Sequence, residues 1–355
     1  MKKKIALVTV IAVILVMVAG CSGSTPAATD AAANAGGQAA ATGTLQSMID
    51  PNDEYVVVCC IDSIEYWNAH RYAWKKAGEL YGVKTSWDGM TGDDVTEMVT
   101  LFDNAAAKKP DGIVVLGWDE GLAPSIDKAE ADGIPVVTFS GDVTTSNRET
   151  WVGSDQHDLG YTGGKKYAES IEGKGKVAIL TYPGKGLFDG RQAGFEDAFK
   201  EYPDIQVVAV GNTQTDEAVA VQAAKDILTA NPDLTGFVCC DATGPMGAAT
   251  AIEEAGLTGK VDVLGLDRDT AMLQRIKDGS ITGSVVQDDA TMLYWAMTVL
   301  ITSKYYDPTA MLTSDNKAAG AKLTPNKISC AINYIDKSNV DLYIAANEEY
   351  LKDQG

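Results

Sequence analysis

Residues 83–116 read VKTSWDGMTGDDVTEMVTLFDNAAAKKPDGIVVL and contain a complete strand–helix–strand unit. The runs 83–87 and 112–116 are short and rich in residues that favour strands. Between them lies a segment that ends before Pro110, and its apolar residues recur at helical spacing: Val95, Met98, Val99, Phe102, Ala105 and Ala106. This order predicts two parallel strands joined by a crossover helix.

The same alternation recurs along the chain. We predict further strands at 55–60, 135–139, 176–180, 205–210, 236–240, 261–266 and 281–286, and helices at 187–201, 216–230, 244–256, 269–278 and 290–304. The tail is predicted as a strand at 328–335 and a helix at 339–351. Two such series, joined near 151–155, predict an α/β fold with two doubly wound parallel-sheet lobes and a multi-stranded hinge. Helix 290–304 is expected to pack on the first lobe through Met292, Trp295, Ala296, Val299 and Leu300.

The N-terminus carries the features of a secretory signal peptide. Three lysines precede an apolar run at 5–19, which is too short for a stable membrane span, and the run leads into Val18-Ala19-Gly20-Cys21. That junction resembles the bacterial lipobox, in which the cysteine becomes the lipidated first residue. Residues 22–43 are almost entirely Ala, Gly, Ser, Thr and Asn, a composition typical of a flexible tether. We therefore expect an extracytoplasmic protein anchored to the cell membrane by a lipid on Cys21.

These observations predict the domain organisation. The segments are a signal peptide (1–20), a lipidated N-terminus and flexible linker (21–50), an N-terminal lobe (51–154 plus 288–306) and a C-terminal lobe (155–287 plus 307–355). The remaining body is long for one core and suits two domains of ordinary size.

Charge and composition exclude several functions. The formal net charge is −20, and removing residues 1–20 with their three lysines makes it −23. Nucleic acid and anionic lipid head groups are therefore disfavoured partners. The two histidines, His70 and His157, have no cysteine or histidine at metal-ligand spacing, so we expect no metal site. The predicted compartment holds no pool of ATP or nicotinamide, so we expect no cofactor.

Beyond Cys21 the chain has an odd number of cysteines, which prevents a complete disulfide framework without a free or intermolecular thiol. The adjacent pairs 59–60 and 239–240 lie inside apolar β-type runs. We predict that they are small hydrophobic residues of buried strands.

In open α/β sheets ligands bind beyond the carboxyl ends of the strands, so the residues that follow each apolar run are the candidate ligand contacts. They are conspicuously polar or aromatic. The candidates are Asp62, Tyr66, Trp67, Ser140, Asp142, Arg191, Asp241, Asp267 and Gln287.

The body from about Glu54 onward resembles the periplasmic sugar-binding proteins of the ribose/galactose type, which have the type I periplasmic binding protein fold and serve ABC importers. No single motif is specific, but seven follow in the family's order. They are Tyr66-Trp67, Gly133-Ile-Pro-Val-Val-Thr-Phe-Ser-Gly-Asp142, Val152-Gly-Ser-Asp155, Arg191-Gln-Ala-Gly-Phe195, Asp241, Gly265-Leu-Asp267 and Val286-Gln287.

The resemblance implies a role for each candidate. Tyr66 and Trp67 would stack on the sugar, Arg191 would clamp it, and the polar strand ends would hold its hydroxyls. The chain departs from the family at Ser140, where an Asp is frequent and for which Asp142 could substitute, and at Thr215, where the family has an aromatic residue. The partners implied are a monosaccharide and an ABC permease.

Physical chemistry points to the same residues. Carboxylates and guanidinium groups make charge-assisted hydrogen bonds to hydroxyls, each worth about 1.5–3 kcal/mol. Three aspartates, Asp142, Asp241 and Asp267, against one Arg191 leave the site net negative, which favours a neutral or amino sugar over sugar acids and phosphates.

Alternative interpretations remain open. Asp241 and Asp267 could instead cap the helices that follow them, and Tyr66 or Trp67 could be core packing. A secreted glycoside hydrolase could use Asp241 and Asp267 as acid and base, although the chain has no nucleophile-elbow or zinc-protease motif. The same fold could also present a nucleoside or autoinducer to a signalling receptor.

Overall fold

The computed structural model describes residues 45–305, 313–321 and 324–352. The predicted signal peptide, Cys21 and most of the predicted linker lie outside these residues. Within them, no helix is both long enough and apolar enough to cross a membrane.

The described residues form alternating strands and helices. The strands are β1 (Glu54–Cys59), β2 (Lys84–Gly89), β3 (Gly112–Leu116), β4 (Val136–Phe139), β5 (Thr150–Gly153), β6 (Lys174–Thr181), β7 (Asp204–Asn212), β8 (Gly236–Cys239), β9 (Asp262–Leu266), β10 (Gly283–Gln287), β11 (Lys327–Ser329) and β12 (Ile332–Ile335). The helices are α1 (Leu45–Met48), α2 (Trp67–Tyr81), α3 (Val95–Ala107), α4 (Ala123–Ala131), α5 (Gln156–Ser170), α6 (Gly186–Lys200), α7 (Glu217–Ala230), α8 (Thr243–Glu254), α9 (Thr270–Asp278), α10 (Asp289–Tyr305), α11 (Ser314–Ala318) and α12 (Val340–Lys352).

The strands form two separate sheets, one for each lobe. The first has the order β11-β5-β4-β3-β1-β2, with every pairing parallel. The second has the order β12-β10-β9-β8-β6-β7 and is parallel except that β12 runs antiparallel to β10. Chain order reverses between β1 and β3 and again between β6 and β8, which makes two doubly wound sheets. The predicted fold class is confirmed.

The central strands are apolar along their whole length because helices cover both faces of each sheet. In β1 every residue from Tyr55 to Cys59 is buried, and β3 is buried throughout. Burial of each such valine or isoleucine side chain contributes about 1.5–3 kcal/mol to folding. Cys59, Cys60, Cys239 and Cys240 are fully buried free thiols, as the flanking valines and phenylalanine predict.

Aspartates begin several of the helices that leave the strand ends. The Asp94 carboxylate accepts a hydrogen bond from the Glu97 amide at 2.9 Å, and Asp216 accepts one from the Val219 amide at 3.0 Å. Each bond satisfies a backbone amide that the helix itself leaves free, a contribution of about 1 kcal/mol.

Two details of the connections differ from the prediction. Where the two series join, near 151–155, the chain first forms β5, which pairs with β4, for example Thr138 with Trp151. The predicted strand at 328–335 is two strands, and β11 pairs with β5 of the first sheet. Residues 327–329 therefore do not belong to the C-terminal lobe, where 307–355 was placed. The crossing between the sheets lies at 330–331, where the Cys330 amide donates to the Gly153 carbonyl at 2.7 Å.

Helix α10 packs against α2 and β4 of the first lobe, as expected. Its buried face includes Met292, Ala296, Val299 and Leu300. Trp295 was predicted on that face, but it is 41% exposed. The buried stripe also includes Leu293 and Met297, which moves its centre away from Trp295.

Helices α5 and α6 touch through their backbones. A Cβ atom built on Gly160 would lie 1.9 Å from the Arg191 carbonyl oxygen, and one on Gly194 would lie 2.1 Å from the His157 carbonyl oxygen. Neither carbonyl can give way without moving its helix. Glycine at these two positions therefore sets the distance between α5 and α6, and with it the position of Arg191.

We predict that Gly194→Ala lowers the free energy of unfolding by about 1–3 kcal/mol, because the methyl group pushes α6 away from α5. The matched control is Gly186→Ala in the same helix, where an added Cβ would meet nothing within 4 Å. Urea denaturation of both variants measures the difference. Equal stability of the two would contradict the backbone contact.

Candidate functional site

The carboxyl ends of the two sheets face each other, and side chains from both lobes meet between them. Gln287, at the end of β10, places its amide nitrogen 3.5 Å from the Tyr66 hydroxyl of the first lobe. At one rim the Thr270 amide at the start of α9 donates to the Glu65 carboxylate at 3.2 Å, and the Thr270 hydroxyl also bonds to it. The lobes are therefore closed on each other.

Arg191 reaches this interface from α6 and is almost fully buried. Its Nε donates to the Gln156 side-chain oxygen at 2.7 Å, and its Nη1 donates to the Cys240 carbonyl at 2.8 Å. The guanidinium lies 5.5 Å from the centre of the Phe188 ring. These contacts fix the orientation of the guanidinium group, so Arg191 is not a solvated surface arginine.

Asp267 follows β9 and is only 9% exposed. Among the described residues no hydrogen bond reaches its carboxylate, whereas its carbonyl accepts the Ser284 hydroxyl at 2.6 Å. Burial raises the pKa of Asp267 to about 7, with Asp269 and Asp241 adding to the rise and the Arg191 charge opposing it. The carboxylate is thus available to a ligand and is not the helix cap that one alternative proposed.

Three strand ends have left-handed backbone without glycine. Ile61 after β1, Ser140 after β4 and Asp267 after β9 have φ values of 52°, 59° and 74°. Such conformations cost free energy, most of all for a β-branched residue such as Ile61. Their position at the strand ends turns the following residues toward the space between the lobes.

The other predicted aspartates are held within their own lobes. The Asp142 carboxylate accepts two bonds from Arg148 and one from the Thr138 hydroxyl. The carboxylate of Asp62 pairs with Arg71 and accepts the Trp87 indole nitrogen.

Asp241 is also occupied. Its Oδ1 accepts the Gly244 amide at 2.6 Å and the Thr243 hydroxyl at 3.2 Å, and its Oδ2 accepts the Thr213 hydroxyl. This matches the alternative in which an aspartate after a strand anchors the next helix. Its proposed contact with a ligand stays a prediction to which these bonds give no support.

The two predicted stacking aromatics differ in placement. Trp67 is 3% exposed, its indole nitrogen donates to the Ile61 carbonyl at 3.0 Å, and its ring packs edge-on against Phe139. It is part of the first-lobe core. Tyr66 is half-buried, and its hydroxyl lies 3.5 Å from the Gln287 amide nitrogen of the second lobe, so Tyr66 is the stacking candidate that lies at the interface.

Sequence reasoning missed two residues of the site. Asp289, the first residue of α10, and His70, on α2, are 4% and 0% exposed. Neither residue was among the candidate ligand contacts predicted from the sequence. Burial raises the pKa of Asp289 well above its usual range, and the charge of Asp267 adds to this; burial lowers the pKa of His70 to about 3. The only local signal was the acidic residue in the first turn of a helix.

A groove of about 490 Å³ opens to solvent beside the ends of β3 and β4 and the start of α6, and its lining does not include Arg191, Asp267 or Tyr66. It is lined from the first lobe by Trp118 and Ser140 and from the second by Gln156 and Leu187, among others. Its volume falls in the range of small-molecule sites. No group of three or more metal-ligating side chains occurs in the described part of the chain.

Comparison with known proteins gives consistent matches. A family model of the periplasmic binding protein domain matches residues 55–303. A xylitol-binding protein of Mycolicibacterium smegmatis is 29% identical over 206 residues, which are 57% of this chain and 58% of that protein. A D-allose-binding periplasmic protein of Escherichia coli is 26% identical over 248 residues, which are 67% of this chain and 80% of that protein.

Solved structures match over a larger part of the chain. An arabinose binding protein from Geobacillus stearothermophilus superposes with a TM-score of 0.76 and 29% identity, covering 82% of this chain and 99% of that structure.

We predict that Asp267→Asn stabilises the ligand-free protein above pH 7. The folded pKa of about 7 exceeds the unfolded value, so the native state holds the proton longer and loses stability as pH rises from about 4 to 7. Ionisation of the buried Asp267 lowers the free energy of unfolding by at most about 4 kcal/mol. Asparagine removes it and tolerates the left-handed backbone.

The matched control is Asp241→Asn, which removes an occupied carboxylate and should destabilise the protein. Urea denaturation at pH 4.5 and pH 8 compares the variants. If Asp267→Asn were no more stable than wild type at pH 8, the buried unpaired carboxylate would be refuted.

Proposed function

The chain belongs to the periplasmic binding protein family, and from that premise we propose that it is a lipid-anchored extracytoplasmic receptor that captures a neutral monosaccharide between its lobes. It delivers the sugar to the permease of an ABC importer and does not convert it. The proposal rests on Arg191 and Asp267, two buried charges of the second lobe that face Tyr66 and Ser140 of the first.

The charge balance favours a neutral ligand. The prediction from the sequence included Asp142 and Asp241 among the ligand contacts, which made the predicted site net negative. Asp142 is neutralised by Arg148, and Asp241 is occupied by an amide and two hydroxyls. Arg191 and Asp267 then remain as one donor and one acceptor group: a sugar hydroxyl can accept from the Arg191 guanidinium and donate to the Asp267 carboxylate. Neither a sugar acid nor an amino sugar finds a surplus charge in this pair.

The relatives support the same ligand class. Their printed names give xylitol, D-allose and arabinose as what those proteins bind, and all three are uncharged polyols. The match to the xylitol-binding protein covers little more than half of it, so this argument adds to the site geometry and does not replace it.

The hydrolase alternative requires two carboxyl groups that are free to exchange protons with a substrate. Both oxygens of Asp241 already accept hydrogen bonds inside the second lobe. Asp267 therefore lacks the second free carboxyl group that the hydrolase alternative assigned to it. No observation favours the signalling-receptor alternative.

We predict that Arg191→Gln and Asp267→Asn each weaken sugar binding ten- to hundredfold, the equivalent of about 1.5–3 kcal/mol for a charge-assisted bond. Titration calorimetry of the mature protein with D-allose, D-xylose, D-arabinose and xylitol measures the affinity. D-glucuronate and D-glucosamine serve as charged comparisons that should bind more weakly. The control variant Arg275→Gln removes a partly buried arginine that pairs with Glu253 far along α9 and should bind normally.

Chromatography of the recovered ligand completes this test. Recovery of an unchanged sugar, together with weaker sugar binding by the two variants, supports the receptor function. Conversion of a sugar or glycoside by purified wild type would refute it, as would wild type that binds none of the neutral sugars.

We predict that Cys21→Ser releases the protein from membranes and leaves sugar affinity unchanged, because Cys21 would be the lipid acceptor while the site lies in the folded body. Cell fractionation with immunoblotting measures the distribution. Cys330→Ser, a cysteine within the fold, is the control and should stay with the membrane fraction. A membrane-bound Cys21→Ser variant would contradict the anchor.

A further inference from the structure

Three of the six buried side-chain polar atoms that lack a hydrogen-bond partner among the described residues lie at one corner of the interface. Among the described residues, His70 Nε2, Gln287 Oε1 and Asp289 Oδ1 are all buried and accept or donate no hydrogen bond. Buried polar groups are normally paired, and each exception calls for an explanation. His70 Nε2 and Asp289 Oδ1 lie 3.9 Å apart, and Gln287 is two residues before Asp289. These three unpaired atoms therefore belong to one cluster.

This cluster adjoins the groups already proposed to hold the ligand. Gln287 lies beside the Tyr66 hydroxyl. After burial, the Asp289 charge is the largest factor that raises the pKa of Tyr66, followed by that of Asp267. Asp289 also lines a small cavity together with Tyr66. Asp289 is thus at the base of the cleft and is not a remote core residue.

The histidine tautomer fixes how Asp289 can bond. His70 Nδ1 lies 3.3 Å from the Tyr66 carbonyl, which can only accept, so Nδ1 carries the proton and Nε2 is an acceptor. An ionised Asp289 would turn a second acceptor toward Nε2. A protonated Asp289 would donate to it after a shift of less than 1 Å. The Asp267 charge opposes ionisation of Asp289, whereas Arg268 and Arg191 favour it, and burial outweighs all three.

We propose that Asp289 is a specificity-determining ligand contact whose carboxyl group donates to His70 Nε2 and accepts a hydrogen bond from a sugar hydroxyl. The inference rests on the proposed function. Gln287 Oε1, the neighbouring unpaired acceptor, receives a second hydroxyl. Asp289 and Gln287 Oε1 both accept at this corner, so they select sugars with free hydroxyl groups over deoxy or O-methyl analogues.

Two substitutions separate this role from others. In Asp289→Asn the amide nitrogen replaces the proton donor to His70, and the amide oxygen still accepts from the sugar. Asp289→Leu has similar volume and keeps neither bond. We expect Asp289→Asn to bind within about threefold of wild type and Asp289→Leu to bind at least tenfold more weakly. The probe is whichever of D-allose, D-xylose and D-arabinose binds wild type most tightly.

Specificity provides the second readout. The monodeoxy analogues of that sugar are titrated against wild type and Asp289→Leu. One analogue should bind wild type more weakly than the parent sugar does, because it lacks the hydroxyl that donates a hydrogen bond to Asp289. The same analogue should bind wild type and Asp289→Leu with equal affinity. A merely structural role of Asp289 would weaken all analogues alike.

Infrared difference spectroscopy tests the protonation directly, even if Asp289→Leu does not fold. Wild type at pH 7 should show the carbonyl stretch of a protonated carboxylic acid that is missing in Asp289→Asn. A missing band, equal losses in Asp289→Asn and Asp289→Leu, or full affinity of Asp289→Leu would each overturn the proposal. Wild type that binds no sugar would instead overturn the proposed function.

Discussion

Parallel strands buried on both faces impose the constraint on which the rest of this molecule depends. Such strands can carry few polar residues along their length, so the polar chemistry is confined to the positions where they end. In each lobe the carboxyl ends lie on one edge of the sheet, and the closed arrangement brings the two edges together. Asp267, Ser140 and Gln287 occupy that boundary because the strands before them could not accommodate them.

Closure adds contacts that neither lobe can make alone. Glu65 of the first lobe accepts hydrogen bonds from Thr270 and so caps α9 of the second, whose own Asp269 makes no capping bond. On the same rim Tyr72 of α2 donates to Glu349 of α12 and packs against the Tyr350 ring. These bonds form only in the closed state, so they stabilise closure in addition to any ligand.

The sequence predicted the strands, helices and fold class because hydrophobic periodicity is a local property. It missed β5 and the division between β11 and β12, because a strand-like run of residues does not indicate which sheet the strand joins. It predicted Arg191, Asp267 and Tyr66 as ligand contacts, which stay predictions, but it did not indicate which acids already accept hydrogen bonds within the fold. Asp241 depends on Thr213 and Asp289 on His70, partners far away in sequence that only the fold brings close.

The division between occupied and unoccupied acids bears on how such a receptor can evolve. Asp142 and Asp241 hold loops and helix starts in place, so a mutation there damages the fold before it changes recognition. Asp267 makes no such bond through its carboxylate, and its burial opposes folding. Replacement of Asp267 by asparagine or glycine, which tolerate its left-handed backbone, therefore carries no stability penalty that selection must first overcome. A lineage could exchange one ligand for another there while the two sheets remain as they are.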